Sequence, residues 1–383
     1  MTAYYFVEPT DTLFARSNLA FGDAGEHGTS MMPPPPSLFA GAFRSAILGR
    51  NSEAMSEFLT SGRCADSRLA ASLGTPETPG AFQITWLSLA YRPFPAGGEG
   101  GTTVESVHPL PADLLRLDTG FAPLKPRPSS ELIASAGNLP LCATLISAKQ
   151  EKPRSGFYLR QAGFARHLLG QPTEAGHDIE AKRLYQRDPR LGIGLNTESR
   201  TVEEGLIYTT EGFAFRPGVG FLIGIDGAEG LLPETGLLRL GGDGRSARYR
   251  KVPFQPDRMS GIPGPDGRFR LILQTPALFH QGSTPDCVTQ EGDDYRLAGP
   301  GFSARLACAA QGRREIISGW DLYHWKPKPA QAAVPAGSVY WFDHFEGDAG
   351  KLAEWVSGGL WGENPDLQRR AEGYNRACLA NWN

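Results

Sequence analysis

The stretch that decides the fold runs from Arg190 to Gly227, RLGIGLNTESRTVEEGLIYTTEGFAFRPGVGFLIGIDG. Apolar residues alternate along it: Ile193 and Leu195, Leu206 and Tyr208, Phe213 and Phe215, then Val219, Phe221, Ile223 and Ile225. A period of two belongs to strands that turn one face to a core. The pattern predicts strand, polar tip, strand, turn, strand. The insert NTESRTVEEG (196–205) is too long for a two-residue turn. Residues from about 193 to 212 are therefore expected to form a β-hairpin arm that projects from its sheet.

Upstream, AYYFVEPTDTLFA (Ala3–Ala15) reads as a first strand broken at Pro9 and resuming towards Phe14. A polar loop then leads into SMMPPPPSLFAGAFRSAIL, Ser30 to Leu48. Pro33 to Pro36 favour a stiff polyproline conformation without donors, and Ser37 is the expected N-cap. Leu38, Phe39, Ala42, Phe43, Ala46 and Ile47 follow at helical spacing and predict a buried helix ending at Gly49. The prolines fix the angle at which that helix leaves the loop. SEAMSEFLTSG predicts a further helix and AFQITWLSLAYRPF a strand, while PAGGEGGTTVES reads as a flexible tip.

After Gly227–Gly230 a second unit is expected, with strands in GLLRLGG, ARYRKV, RFRLILQT, GWDLYHW and GSVYWFDHF and a helix near GKLAEWVSG. Few helices and many short strands predict an α+β chain, two units each with a sheet and helices on one face.

Composition narrows the functional class. Of 383 residues, 47 are glycine and 31 proline, dispersed as turns between short strands. The formal net charge of -3 means that any polyanion must be held by local basic patches. Cys64, Cys142, Cys287, Cys308 and Cys378 are scattered without a C-x-x-C pair, which fits a reducing compartment and argues against a zinc site. MTAYYFVEPTDTLF lacks the charged and apolar regions of a leader, and no run approaches the roughly 18 apolar residues that span a bilayer. The expectation is a soluble, cytoplasmic protein.

Candidate chemistry is sparse. LGGDG (Leu240–Gly244) has the form of a cyclase or polymerase turn, but two-metal chemistry needs paired carboxylates and Asp243 stands alone before a basic run. The turn reads either as a plain hairpin or as a glycine bend bringing backbone N–H groups to a phosphate, backed by Arg245 and Arg248. DHFEGD (Asp343, His344, Glu346, Asp348) carries hard-metal ligand types, yet an exposed acidic strand end looks the same. No metal or cofactor is assigned. GVGFLIG precedes a strand rather than opening a helix, so it is a turn and not a dinucleotide site. His27 is the one histidine placed in a loop where a general base could face RNA.

The basic segments carry more. Ser147–Leu191 holds nine Lys/Arg against five Asp/Glu, and Arg239–Arg258 holds six against two. Trp325-Lys326-Pro327-Lys328 sets an aromatic beside cations. Cations interleaved with aromatics suit single-stranded RNA, whose phosphates need neutralising and whose bases stack.

Taken in order, FVEPTDTLFARSNLAFG, MMPPPPSLFAGAFRSAILG, the Arg190–Gly227 stretch, RLGGDGRSARY, LILQTPALF, GWDL and KPKPAQAAVPAGSVYWF resemble one family. This is the RAMP subunit that binds the crRNA 5′ handle in the Cmr, or type III-B, CRISPR effector complex. The resemblance implies two tandem ferredoxin-like (RRM-like) domains. The first is residues 1–228, with an insertion at about 51–190 and the arm; the second is residues 229–383, ending in a glycine-containing loop. It implies a non-catalytic role in antiviral defence. The partners would be the crRNA handle, the large polymerase-like subunit, backbone RAMP subunits and, indirectly, target RNA, with no membrane contact.

Under that resemblance the expected RNA contacts are Arg200 and Thr201 on the arm and Gly241, Gly242 and Arg245 in the glycine turn. Lys326 and Lys328 on a basic strand, Gly373, Tyr374 and Arg376 in the terminal loop, and Arg44 on helix 1 complete the set. Backbone amides and arginines would grip phosphates and Tyr374 would stack a base. The family ends in a loop of G-x-G character; here AEGYNRACLANWN places Asn375 where glycine is expected. Asn tolerates left-handed φ, so the turn is expected to survive. Two alternatives remain at this point: a RAMP-type endoribonuclease with His27 as general base, and a structural bridge with little RNA contact.

Overall fold

The computed structural model of the chain describes residues 2–15, 27–28, 30–93, 103–131, 139–147, 149, 151–195, 199–242, 244–256 and 261–382. Strand predominates over helix, in several antiparallel sheets. The chain forms two compact units, each assembled from three segments. Residues 1–104, 182–253 and 316–331 make the first; residues 105–181, 254–315 and 332–383 make the second.

In the first unit the central strand is β1 (Ala3–Pro9). It pairs with β5 (Val219–Asp226) on one side and β7 (Ser246–Lys251) on the other. β2 (Gln83–Tyr91) lies outside β5, and β6 (Thr235–Arg239) outside β7. The order is β2-β5-β1-β7-β6, antiparallel throughout, so β1 and β2 run parallel with β5 between them. The connection from β1 to β2 contains α1 (Pro36–Leu48), α2 (Ser52–Ser61) and α3 (Ser67–Leu73).

α1 lies on the sheet because its period brings Phe39 and Phe43 to one face. The Phe39 ring is 4.8 Å from Phe221, and Phe43 lies 5.5 Å from Tyr5 and 5.6 Å from Tyr249. Both phenylalanines are fully buried, each worth roughly 1.5–3 kcal/mol. The helix starts two residues earlier than the serine cap predicts: Pro35 is the cap, extended at φ -65 and ψ 147, and Pro36 occupies the first turn. A proline there has no N–H to leave unpaired and its φ is already helical, so Ser37 is not needed as a cap. The α2 and α3 caps follow the usual chemistry, with Asn51 accepting from Glu53 and Ala54, and Asp66 from Arg68 and Leu69.

β6 and β7 were expected in the second unit, but β7 pairs directly with β1, Val7 opposite Tyr249. The reason is apolar alternation: Ala247 and Tyr249 bury on the α1 side, while Arg248 falls on the opposite face and stays exposed.

The arm is present. β3 (Tyr185–Leu195) pairs with β4 (Val202–Phe215), from Tyr185 opposite Phe215 to Leu195 opposite Val202. Eleven extended residues reach about 35 Å. Its root is aromatic: Tyr185 packs edge-on against Phe213 at 5.1 Å, and Phe215 against Phe221 at 5.3 Å. Farther out, Leu191 and Ile193 are exposed, so the strands have left the core there.

The second unit is centred on β8 (Phe269–Leu273), between β12 (Val339–Gly347) and β13 (Ala377–Asn381). β11 (Phe302–Ala310), β10 (Asp294–Gly299) and β9 (Val288–Glu291) extend the sheet beyond β12. All pairs are antiparallel, so β12 and β13 run parallel across β8, joined through α5 (Ala349–Ser357) and α6 (Leu367–Glu372). One core holds Leu352 and Val356 of α5 with Phe269, Tyr340 and Phe342. Another holds Ile272, Cys308 and Trp341 with Phe164 and Leu168 of α4 (Gln161–Leu168).

A buried arginine ties that second core together. Arg270 is fully enclosed, pairs with the equally enclosed Asp113, and donates to the carbonyls of Asn381 at 2.6 Å and His167 at 2.9 Å. Burial alone would raise the Asp113 carboxyl, but the charges and hydrogen bonds of His167 and Arg270 hold it down at about 2. Nearby His108 stacks on Phe164 at 4.0 Å and lies 3.0 Å from the Ser106 hydroxyl. Burial pushes its imidazole down to about 3, so it stays neutral. Among the described residues no helix is long and apolar enough to cross a membrane.

Candidate nucleic-acid interface

The site grows from residues 11–15, which follow β1. Leu13 exchanges both backbone hydrogen bonds with Phe213 of the arm root, at 2.9 and 3.0 Å. On the other side, Gly242 donates its N–H to the Phe14 carbonyl at 2.9 Å. Residues 11–15 are thus held between the arm and the glycine turn. Two glycines permit that closeness. A Cβ on Gly212 would lie 2.4 Å from the Thr12 methyl, and one on Gly241 would lie 2.5 Å from the Phe14 carbonyl oxygen. Gly241 also sits at φ +84, where a side chain is strained.

This clamp holds the buried Phe14 between two arginines. The Arg245 guanidinium lies 4.7 Å from its ring centroid and that of Arg190, on β3, 6.0 Å. Each is held by an acid. Arg245 pairs with Asp11, which is itself 58% exposed. Arg190 bonds Asp188 at 2.9 Å and the Thr12 hydroxyl at 3.0 Å, and that hydroxyl donates onward to Asp188 at 2.8 Å. The Thr12 hydrogen bond and then Arg190 keep the Asp188 carboxyl below its ordinary value. Arg187 pairs with Glu211 across the arm.

A guanidinium that lies over an aromatic face directs its N–H groups outward in its own plane, towards oxygen acceptors. Phosphate oxygens meet the same geometric demand as the Asp11 carboxylate, so the cluster can exchange one anion for another.

The other residues predicted from sequence are dispersed. Arg200 and Thr201 are exposed at the arm tip, Arg200 with φ 55 and the Thr201 hydroxyl 2.7 Å from that of Ser199. Gly241, Gly242 and Arg245 do meet, around Phe14; the Gly242 N–H, expected for phosphate, is occupied by the Phe14 carbonyl. Arg44 turns inward, 5.1 Å over the buried Phe82 ring. Lys326 is exposed and Lys328 half-buried on a short hairpin of the first unit.

The terminal loop belongs to the second unit and is closed. Tyr374 is fully buried beneath Arg369, which leaves no ring face for the base it was expected to stack. Gly373, at φ +95, is the cap of α6. Arg376 donates to the Ser357 carbonyl at 2.9 Å. Asn375 takes φ 58, as anticipated for a glycine substitute, but its amide works inward: it accepts from Leu278 N–H at 2.8 Å and donates to the Leu360 carbonyl at 3.0 Å.

For His27 the structure describes the backbone, which with Gly28 pairs in parallel with Thr209 and Thr210; its side chain, like Asp243, lies outside the described residues. Asp343 is held by Arg305 at 2.9 Å on both oxygens, and Asp348 caps α5. Among the described residues no group of three or more His, Cys, Asp or Glu gathers to hold a metal. The residues that sequence reading missed are Asp11, Thr12, Phe14 and Asp188, with Arg190 noted only as part of a basic segment. Their one local signal is the polar Thr-Asp-Thr between Pro9 and the apolar Leu13-Phe14.

A family model described as CRISPR-associated protein (Cas_Cmr3) matches residues 5–382. The structure is similar to a chain in the cryo-EM structure of the Type III-B Cmr-beta bound to cognate target RNA. Identity is 16% and the TM-score 0.50, over 98% of this chain and 96% of that one. It is likewise similar to a chain of Type III-B Cmr-beta bound to cognate target RNA and AMPPnP, state 1, at 16% identity and TM-score 0.50 over 99% of each. No curated protein matches the chain at a significant level.

Proposed function

Since this chain belongs to the CRISPR-associated Cas_Cmr3 family, we propose that it serves as a non-catalytic subunit of a type III-B (Cmr) effector, gripping the crRNA 5′ handle. In this reading each unit is a ferredoxin-like domain. Strand order supports it: β7-β1-β5-β2 in the first unit and β13-β8-β12-β11 in the second follow the same 4-1-3-2 sequence. Each unit keeps one of the two helical crossovers, the first unit before its second strand and the second unit before its last.

The observation that carries the RNA role is the Phe14 clamp, where Arg245 and Arg190 flank one ring at the foot of a cation-tipped arm. The arginines would take the phosphates of the handle, and the arm with Arg200 would reach guide RNA or a neighbouring subunit. The large polymerase-like subunit and the backbone RAMP subunits are the protein partners. Phosphate contacts of this kind position RNA and weaken steeply with salt.

The test is assembly of the complex around guide RNA with an Arg200→Ala/Arg245→Ala chain. Loss of handle-dependent assembly, with a shallower salt dependence of what remains, is the expected result. Unchanged guide occupancy would overturn the reading.

A further inference from the structure

The first unit carries a second aromatic feature that shares no residue with the Phe14 clamp. Trp320–Asp321 pairs antiparallel with Lys326–Pro327, Trp320 opposite Pro327. The turn between them is set by Asp321, which accepts from the His324 N–H at 2.9 Å and lies 3.0 Å from its Nδ1. The base is closed by Lys328 N–H to the Gly319 carbonyl at 2.8 Å, and Tyr323 packs edge-on against Phe58 of α2 at 6.5 Å.

So anchored, the hairpin holds two indoles in the open. Trp320 is 52% exposed and Trp325 71%, their centroids 5.6 Å apart and nearly perpendicular. Trp325 also takes φ 52, a left-handed backbone that a bulky residue seldom adopts. Strain and exposure of large apolar rings are both unfavourable in isolation, and together they mark a surface that something flat covers. The charges choose between occupants. Asp321 is already engaged by His324, whereas Lys326, beside Trp325, projects into solvent and Lys328 follows two residues on. A flat apolar face bearing an adjacent negative charge is an unpaired nucleobase with its phosphate.

The geometry points to a base-stacking site for unpaired RNA on Trp320 and Trp325, with Lys326 on the phosphate. It relies on the proposed function only for the identity of the nucleic acid.

The experiment titrates the full chain with a ten-nucleotide single-stranded oligoadenylate, following tryptophan fluorescence, with an RNA duplex of the same length as control. Quenching by the single strand and little by the duplex is expected. Trp320→Ala/Trp325→Ala should lose that quenching and about tenfold in affinity. Trp325→Tyr, which keeps a ring, should retain most of the affinity and so exclude misfolding as the cause. Unchanged affinity in the double alanine variant, while Arg200→Ala/Arg245→Ala still loses the guide, would sink the stacking site and spare the handle reading. The reverse pattern would keep the stacking site and sink the handle reading. If the double alanine variant keeps its RNA affinity but sheds another subunit of the complex, the hairpin is a protein contact and the inference is overturned.

Discussion

Replacing Asp11 by Asn removes the charge that holds Arg245 in the free subunit while leaving the guanidinium on Phe14. Exposed ion pairs contribute about 0–1 kcal/mol, so the melting temperature of Asp11→Asn should move little. RNA affinity should rise several-fold at low salt, because an anion no longer competes for Arg245; unchanged or weaker binding in a filter assay would contradict that account. Among the site residues, Gly241, Gly242 and Arg245 are legible in the sequence, since a glycine bend beside a cation is a local pattern. Phe14, Asp11 and Arg190 are not, because two non-local contacts bring the three segments together: the pairing of Leu13 with Phe213 and the Gly242 N–H on the Phe14 carbonyl. Tyr374 misleads for a different reason. Asn375 and Arg376 look like solvent-facing loop residues, yet their polar groups are spent on interior carbonyls and amides, and the loop closes over the ring.

At the scale of elements, the arm is the part read most directly. Alternating apolar positions and a long polar tip gave both strands, and the structure extends them back to Tyr185, where an aromatic root replaces solvent. Because Leu191 and Ile193 are exposed, the outer part of β3 adds little to stability. Replacing residues 192–208 with a two-residue Asn-Gly turn should leave thermal unfolding within a few degrees of the parent. The same change should abolish guide retention or subunit docking in the assembled complex. A collapse of the fold would show instead that the distal strands are structural. Helix α1 was also legible, apart from its cap, where backbone geometry of the prolines supplanted side-chain capping.

For the whole molecule, the division of strands between units was the least legible feature. Strand patterns report burial and not pairing partner, so nothing local says that β7 belongs beside β1. The buried His108 gives a pH signature of the second unit. Its imidazole protonates near 6.5 when unfolded and only at about 3 when folded, so the unfolded state binds the extra proton between those values. Stability should therefore fall as pH drops below about 6.5, by up to about 1.4 kcal/mol per unit. Denaturant melts from pH 7 to 5 would show this slope, and His108→Phe should flatten it. A slope identical in the variant would assign the effect elsewhere.

The braiding of six chain segments into two units has a consequence for biogenesis. A ribosome must translate through residue 331 before the first unit has all its segments, and through residue 381 before β13 can take its full place beside β8. Until then the nascent chain carries open sheet edges, which favours chaperone holding during synthesis over stepwise folding of one unit after the other.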